Sequence, residues 1–477
     1  MIKWEVVTGN IPPSSGLTDE TVALAKALTL QAASYWSRYI DSDVTLTIEL
    51  RLDTVEPIFG REVEGSAFST SREHVFLRRE EGQNILEPGA THEIRTGTDP
   101  NGGTPDIVIT INPDSLDILA LDPTPETSGD IIDVVGDTLI DFLSLMIHEL
   151  GHSLGMTSFP VNEPLATAGR ITTFDALSGD APNGRFFYGT NAQEVLGAPV
   201  PLTDGHIGLP IDSVDDPFSV PDTLLSQQFR FDVFRDATFL RFRAFTSSLD
   251  LAILQDLGIP MLEATSGADH LFGFEREADT LRGLAGDDTL DGLSGADALW
   301  GGDGDDVLLG GGGRDTIGGG AGNDLLVGDS ADIILPSRFD PLPADAHENR
   351  DLLFGGAGDD IILTGAFTDA SGNGTYDDGE AITSDTVANT AWAGSGHDTI
   401  VGTDGNETLG GGLGNDRIQA HGGDDVIYGG KTGADGASVN DRIDAGDGDD
   451  SVFSGDGDDS IMGGAGADLI FNGAGND

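Results

Sequence analysis

His148-Glu149-Leu150-Gly151-His152 is the stretch of this chain whose residue types and spacing most directly imply chemistry. Two imidazoles four residues apart lie one helical turn apart, on one face, so both reach a single metal ion. Neutral imidazole suits Zn²⁺, and a catalytic zinc takes three protein ligands and keeps a fourth position open for water, lowering its pKa to about 7. Glu149 is placed to accept that water's proton and to pass it to the leaving amine as a general acid. The expected chemistry is hydrolysis of a peptide bond, with His148 and His152 as zinc ligands and Glu149 as the catalytic group. A motif this short also occurs by chance on solvated helices. The apolar residues around it and Gly155 at a helix-ending position argue against that here. The chain has no cysteine, so a transition metal must be held by His, Asp or Glu, and disulfides and a thiol nucleophile are excluded.

A second set of residues recurs with a period. Asp288, Asp297, Asp306, Asp315 and Asp324 are nine residues apart, each within the pattern GGxGxDxUx, where U is apolar; Gly301-Gly302-Asp303-Gly304-Asp305-Asp306-Val307-Leu308 is one copy. The pattern resumes at Asp360, Asp398, Asp416, Asp425, Asp450, Asp459 and Asp468. Its glycines allow positive φ, so that carbonyl oxygens turn inward and join the Asp carboxylate around a hard cation; all-oxygen ligation selects Ca²⁺ over zinc. Leu290, Leu299, Leu308, Ile317 and Leu326 occupy the U position and are expected to stack inward as short parallel strands, a thin core that no single repeat provides. A flexible Gly/Asp linker would keep neither the period nor the apolar pair after each Asp. Inserts near 327–350 and 364–391 break the period, and the sequence stops at Asp477 within another copy. The second insert matches an EF-hand loop at Asp369, Asn373, Gly374, Asp377 and Glu380, with the weaker ligand Ser371 at the third position, although an Asx-rich turn has the same composition.

Elements able to position these groups are readable around them. The composition changes at 260–265, dividing the chain into 1–262 and 263–477. In the first part, Thr18-Asp19-Glu20 predicts a helix start and Val22 to Tyr39 an amphipathic helix, followed by a half-buried strand over Val44–Leu52 and a second over Asp106–Asn112. Leu139, Ile140, Leu143, Met146, Ile147, Leu150 and Leu154 predict a largely buried helix over about 134–155, which carries the histidine motif. Ser248 to Gly258 predicts another helix with a glycine stop, and Gly65 to Ser69 an edge strand along which a peptide could lie. The 83 acidic against 23 basic residues, a formal charge of −60, make nucleic acid and anionic membranes improbable partners and cations natural ones. A solvated acidic surface would give the same total, but not carboxylates recurring between glycines. No run of 18 apolar residues occurs, and the N-terminus lacks the pattern of a cleaved secretory signal.

The stretch HELGHSLGM resembles the metzincin metalloproteases, whose short motif places a third histidine where this chain has Ser158. The related leishmanolysin-like enzymes insert several dozen residues before that histidine. The resemblance, over roughly 15–260, implies an α+β zincin-like catalytic domain with one catalytic zinc and with His206 as third ligand; Asp175, Asp204 and Glu163 are rivals for that place. Metzincins also set a methionine beneath the zinc, whereas no Met lies between Met156 and Met261. The second part resembles the RTX repeats, which implies an all-β parallel β-roll holding several structural Ca²⁺ ions. In domain order the chain is similar to the serralysin proteases. RTX proteins leave Gram-negative bacteria through type I secretion machinery, so the resemblance implies a secreted, extracellular zinc endopeptidase acting on protein or peptide substrates. The rival from another class is a non-enzymatic calcium-dependent adhesin or surface-layer protein with a vestigial zinc site.

Overall fold

The computed structural model describes residues 2–9, 11, 17–52, 67–71, 74–80, 83–112, 119–121, 140–156, 170–181, 184–203, 206–207, 248–274, 277–329, 350–368, 376–377, 380–382, 386–431 and 439–477. They fall into two compact units, Met1–Leu262 and Glu263–Asp477.

The first unit is an α+β structure. Its main sheet contains β1 (Lys3–Thr8), β2 (Thr45–Leu52), β3 (Ala67–Ser71) and β6 (Ile107–Ile111), in the order β1-β2-β6-β3. The first three strands are parallel, and β3 runs antiparallel on the edge beside β6. Leu46, Ile48, Leu50 and Leu52 point into the core from β2, as period-two alternation requires. The crossover from β1 to β2 is helix α1 (Asp19–Ser37). Its N-cap, Thr18, accepts a hydrogen bond from the Thr21 N–H at 3.1 Å, with Asp19 and Glu20 in the positive first turn.

The chain continues through β4 (His74–Glu80) and β5 (Gln83–Pro88), an antiparallel pair, into helix α2 (Gly89–Thr96). Two short strands, β7 (Leu119–Ala120) and β8 (Ile140–Asp141), pair in parallel and lead into helix α3 (Phe142–Ser153), which carries the histidine motif. The apolar periodicity had predicted a helix from about 134; instead the described helix begins at Phe142, and Ile140 is a strand residue. A short apolar run satisfies either period, and the backbone groups of Ile140–Asp141 go to β7. Residues 134–139 lie outside the described residues.

Helix α3 is buried on nearly all sides, with Leu143, Met146, Ile147 and Leu150 in the core. Two hydrogen bonds fix it: Trp36 Nε1, from α1, donates to the Ile147 carbonyl at 3.1 Å, and Thr91 Oγ1, from α2, donates to the Leu154 carbonyl at 2.7 Å. Toward the end of the unit, helix Ser248–Asp256 stops at Gly258, whose φ is 87°. Its Asp256 carboxylate accepts the N–H groups of Asn191 and Ala192 at 3.0 Å, capping helix Thr190–Leu196 in place of a local N-cap side chain.

The second unit is a parallel β-roll. Successive short strands go alternately to two parallel sheets, so that one coil comprises two nonapeptides. Leu290, Leu308, Leu326, Ile362, Ile400, Ile418 and Ile443 are in register along one sheet. Leu299, Ile317, Leu353, Ala391, Leu409, Ile427 and Val452 are in register along the other, and the two files form a single fully buried core. The inserts interrupt the sequence period without interrupting this register: Ile317 pairs with Leu353, and Leu353 with Ala391. On the outward face of one sheet, Trp392, Tyr428, Phe453 and Phe471 stack with ring centroids 5.7, 5.2 and 4.9 Å apart.

Because the roll's core is one aliphatic side chain deep, a cavity has little to collapse onto it. Ile400→Ala, at a fully buried position between Ile362 and Ile418, is expected to cost about 2–5 kcal/mol. It should be read as a lower denaturant midpoint for the calcium-loaded chain; an unchanged midpoint would count against this description of the core.

Candidate functional site

The last turn of helix α3 sets the geometry of the histidine motif. Met156 N–H bonds to the Gly151 carbonyl and Gly155 N–H to the His152 carbonyl, at 3.1 and 3.2 Å, with Gly155 at φ 128°, the two-bond glycine stop of a Schellman motif. This stop returns the Met156 carbonyl toward the helix, where it lies 2.7 Å from His152 Nδ1. A carbonyl only accepts, so Nδ1 carries the proton and Nε2 keeps the lone pair that a metal requires. Burial moves the His152 pKa below its ordinary value, against the Met156 hydrogen bond, which favours the neutral, ligating form. The rings of His148 and His152 meet edge to face with centroids 4.5 Å apart, and both His148 and Glu149 are buried.

His148, Glu149 and His152 are thus assembled on one element, and the two imidazoles suit a zinc ion. His206 lies on the short strand His206–Ile207, paired with Val200–Thr203, but its side chain lies outside the described residues, as do Ser158, Glu163 and Asp204. Of the rivals for the third ligand, Asp175 is the one whose side chain is described. Its carboxylate accepts from the backbone and hydroxyl of Thr172 at 2.9 and 3.0 Å, the capping box of a short helix, Thr173–Ala176.

The repeat carboxylates form two files. Along one, the backbone N–H groups of Asp288, Asp306, Asp324, Asp360, Asp398, Asp416 and Asp441 each donate to Oδ1 of the Asp one coil later, at 2.8 to 3.0 Å. The spacing is 18 residues where no insert intervenes and 36, 38 or 25 where one does. Along the other, Asp297 donates to Asp315, Glu407 to Asp425, Asp425 to Asp450 and Asp450 to Asp468, in the same manner.

The second oxygen of these carboxylates is the informative one. Oδ2 of Asp288, Asp297, Asp306, Asp315, Asp324, Asp360, Asp398, Asp416, Asp425, Asp441, Asp450 and Asp459 is buried with no hydrogen-bond partner among the described residues. Such atoms are costly unless something else satisfies them. Asp288, Asp297, Asp306, Asp315, Asp324, Asp360, Asp416 and Asp441 each lie beside a glycine at which a Cβ would overlap this oxygen, whereas Ala393, Ala420, Ala445 and Ser454 stand five residues before Asp398, Asp425, Asp450 and Asp459. A Cβ on Gly301 would overlap Asp306 Oδ2 and the Gly319 carbonyl oxygen, and one on Gly411 would overlap Asp416 Oδ2 and the Gly429 carbonyl oxygen. Gly302 and Gly304, with φ of 122° and 140°, turn the chain around this cradle. A hard, oxygen-seeking cation such as Ca²⁺ fits this arrangement, because an unmatched anionic oxygen and a carbonyl oxygen converge there. The electrostatic cost of leaving the carboxylates uncompensated is visible in their acidity. Burial, reinforced at most positions by neighbouring carboxylates, raises Asp297 to about 9, Asp360, Asp425 and Asp441 to about 7, and Asp306 and Asp416 to about 6.

The pattern search missed several members of these files. Asp351, Asp441 and Glu407 occupy the same rung positions, and Asn389 accepts the Asp351 N–H at 2.9 Å. They lack the glycines before the acid, or carry Glu or Asn in place of Asp. The apolar residue two positions on survives in Asp351-Leu352-Leu353, Glu407-Thr408-Leu409 and Asp441-Arg442-Ile443 and is the signal that identifies them. In the EF-hand-like segment Asp369 and Asn373 lie outside the described residues. Asp377 N–H donates to Glu380 Oε2 at 2.9 Å, and the flanks close as a bridge between Phe367 and Ile382 rather than as helices.

Seven stretches, 276–308, 300–332, 346–370, 385–418, 401–431, 435–470 and 444–477, match the family of the RTX calcium-binding nonapeptide repeat (4 copies). All lie within Glu263–Asp477, so the second unit is built of calcium-binding RTX repeats, which are typical of secreted proteins. No curated protein matches the chain. No helix among the described residues is long and apolar enough to cross a membrane.

The raised carboxyl pKa values fix the sign of a pH effect. Between the ordinary value of 3.8 and the folded values of about 6 to 9, the folded, metal-free roll binds more protons than the unfolded chain. Its stability in chelator is therefore greatest below 3.8 and is lost as the pH rises through that window. The metal-free chain is therefore expected to gain β structure in chelator as the pH falls from 8 to 5, and calcium, which needs the deprotonated carboxylates, to add less to it at the lower pH. Circular dichroism in chelator and in excess calcium at several pH values measures it, and β structure in chelator that decreases as the pH falls from 8 to 5 would contradict the raised pKa values of these carboxyls.

Proposed function

We propose that the first unit is a zinc-dependent endopeptidase and that the calcium-folded RTX unit serves its export through type I secretion machinery and its stability outside the cell. The observation that carries the reading is the contact between His152 Nδ1 and the Met156 carbonyl, which selects the ligating tautomer one turn from His148 with Glu149 buried between them. Zinc, held by His148, His152 and, on the resemblance to leishmanolysin-like enzymes, His206, would supply a Lewis acid to polarise the scissile carbonyl and acidify water. Glu149 takes the proton of the attacking water and delivers it to the leaving amine, and its burial keeps competing solvent away. The mixed sheet supports the zincin-like reading: among the described strands β3 is the antiparallel edge, along which an extended peptide could add as a strand.

The test is hydrolysis of an unfolded protein by the purified chain in millimolar calcium with zinc. Glu149→Ala is expected to lower the rate by at least about 100-fold, the lower bound for a lost general acid–base group, while zinc content stays near one per chain. His152→Ala is expected to lose both zinc and activity. A wild-type chain that folds with calcium yet binds no zinc and cleaves nothing would favour the adhesin or surface-layer reading instead.

A further inference from the structure

Three acidic side chains of the first unit converge away from the histidine motif. Glu93 lies on α2, Asp99 in the connection that follows, and Asp106 immediately before β6; one carboxylate oxygen of each lies within 4.8 Å of the others. They are not held together by a cation of the protein. Among the described residues no Lys, Arg or His pairs with any of them, and the nearby Arg95 is engaged with Glu87 through two hydrogen bonds of 2.9 Å.

Asp99 and Asp106 are fixed from outside the cluster. Asp99 accepts the N–H groups of Asn101, Gly102 and Gly103 at 2.6 to 2.9 Å. Asp106 accepts the Thr47 N–H from β2 at 2.7 Å and Asn101 Nδ2 at 2.8 Å. Glu93 differs from both. It is only 7% exposed, its Oε2 meets no N–H or hydroxyl donor among the described residues, and burial, the Asp106 and Asp99 charges and a proton shared with Asp106 raise its pKa to about 7. A buried carboxyl group held against two further carboxylates, with only a shared proton to offset their charge, lacks a positive partner.

We propose that Glu93, Asp99 and Asp106 hold a divalent cation, Ca²⁺, in the first unit, independently of the repeats. The donors are all oxygens and carry up to three negative charges, and exposed Asp99 gives the ion a way in. Calcium tolerates irregular oxygen ligation, whereas Mg²⁺ demands a near-ideal octahedron. The ion ties α2 to the start of β6 and, through the Asp106–Thr47 bond, to β2. Since α2 also supplies Thr91, which holds the Leu154 carbonyl just beyond His152, the site braces the end of the histidine-bearing helix. It does not depend on that helix being catalytic.

Hydrogen exchange of the whole chain, followed by mass spectrometry with and without calcium, tests the proposal at the site itself. In the wild type, peptides within 89–112 are expected to exchange about ten-fold more slowly at calcium ten times the dissociation constant. In Glu93→Gln and in Asp99→Asn the same peptides are expected to exchange alike with and without calcium, while repeat peptides around 298–327 keep their calcium protection. Glu93→Gln removes a buried like charge, and Asp99→Asn alters an exposed position, so the two variants do not share one route to misfolding. The proposal is overturned if the wild-type 89–112 peptides ignore calcium, or if both variants retain full calcium protection there.

Discussion

The buried aspartate that spends one oxygen on its neighbour and keeps the other unmatched is the constraint on which the second unit rests. Oδ1 binds each coil to the one before it, and at Asp306 and Asp416 Oδ2 converges with a glycine carbonyl on a cradle too narrow for a side chain. The aliphatic files inside the roll hide one side chain per strand, a core too thin to bear a stack of uncompensated charges. Cation binding is therefore folding free energy for this unit rather than an addition to a finished structure. The glycines follow from the same close packing, since a Cβ is excluded at Gly301 by the Asp306 carboxylate and the Gly319 carbonyl, and at Gly302, whose φ is 122°, by the Leu284 carbonyl.

How much was legible in the sequence follows the range of the interactions. Asp306 and Leu308 declare themselves because motif, turn and core position fall within nine residues. The continuity of the roll across its inserts does not, because the pairing of Ile317 with Leu353 is fixed by register between coils and leaves no mark on local period. For the same reason Asp351, Glu407 and Asp441 escaped. Once neighbouring coils hold a turn in place, its glycines become dispensable while the inward acid and the apolar residue behind it do not.

In the first unit His148, Glu149 and His152 were legible because a helix brings residues four apart together without help from the rest of the fold. The start of that helix was not, since Ile140 reads equally as strand or helix until β7 claims it. The carboxylates of Glu93, Asp99 and Asp106 look in sequence like ordinary surface acids. Their meeting depends on where α2 ends and β6 begins, and on the Thr47 amide of a third element holding Asp106. The helix cap supplied by Asp256 to Asn191 and Ala192 is distant in sequence for the same reason.

The two halves answer one physical problem in opposite directions. Burial disfavours charge, so it lowers the pKa of His152 and raises that of the repeat aspartates. For an imidazole the result is already the ligating form, since a neutral ring keeps its lone pair, and the histidine motif can be assembled before any ion arrives. For a carboxyl the result is the wrong form, since the proton occupies the oxygen that calcium needs. The histidine motif is therefore preorganised by its helix and by the Met156 carbonyl, whereas the aspartate files acquire their working charge state together with their cations. A chain built in this way completes its fold where calcium is abundant, and its dependence on calcium lies in the side chains that define the roll.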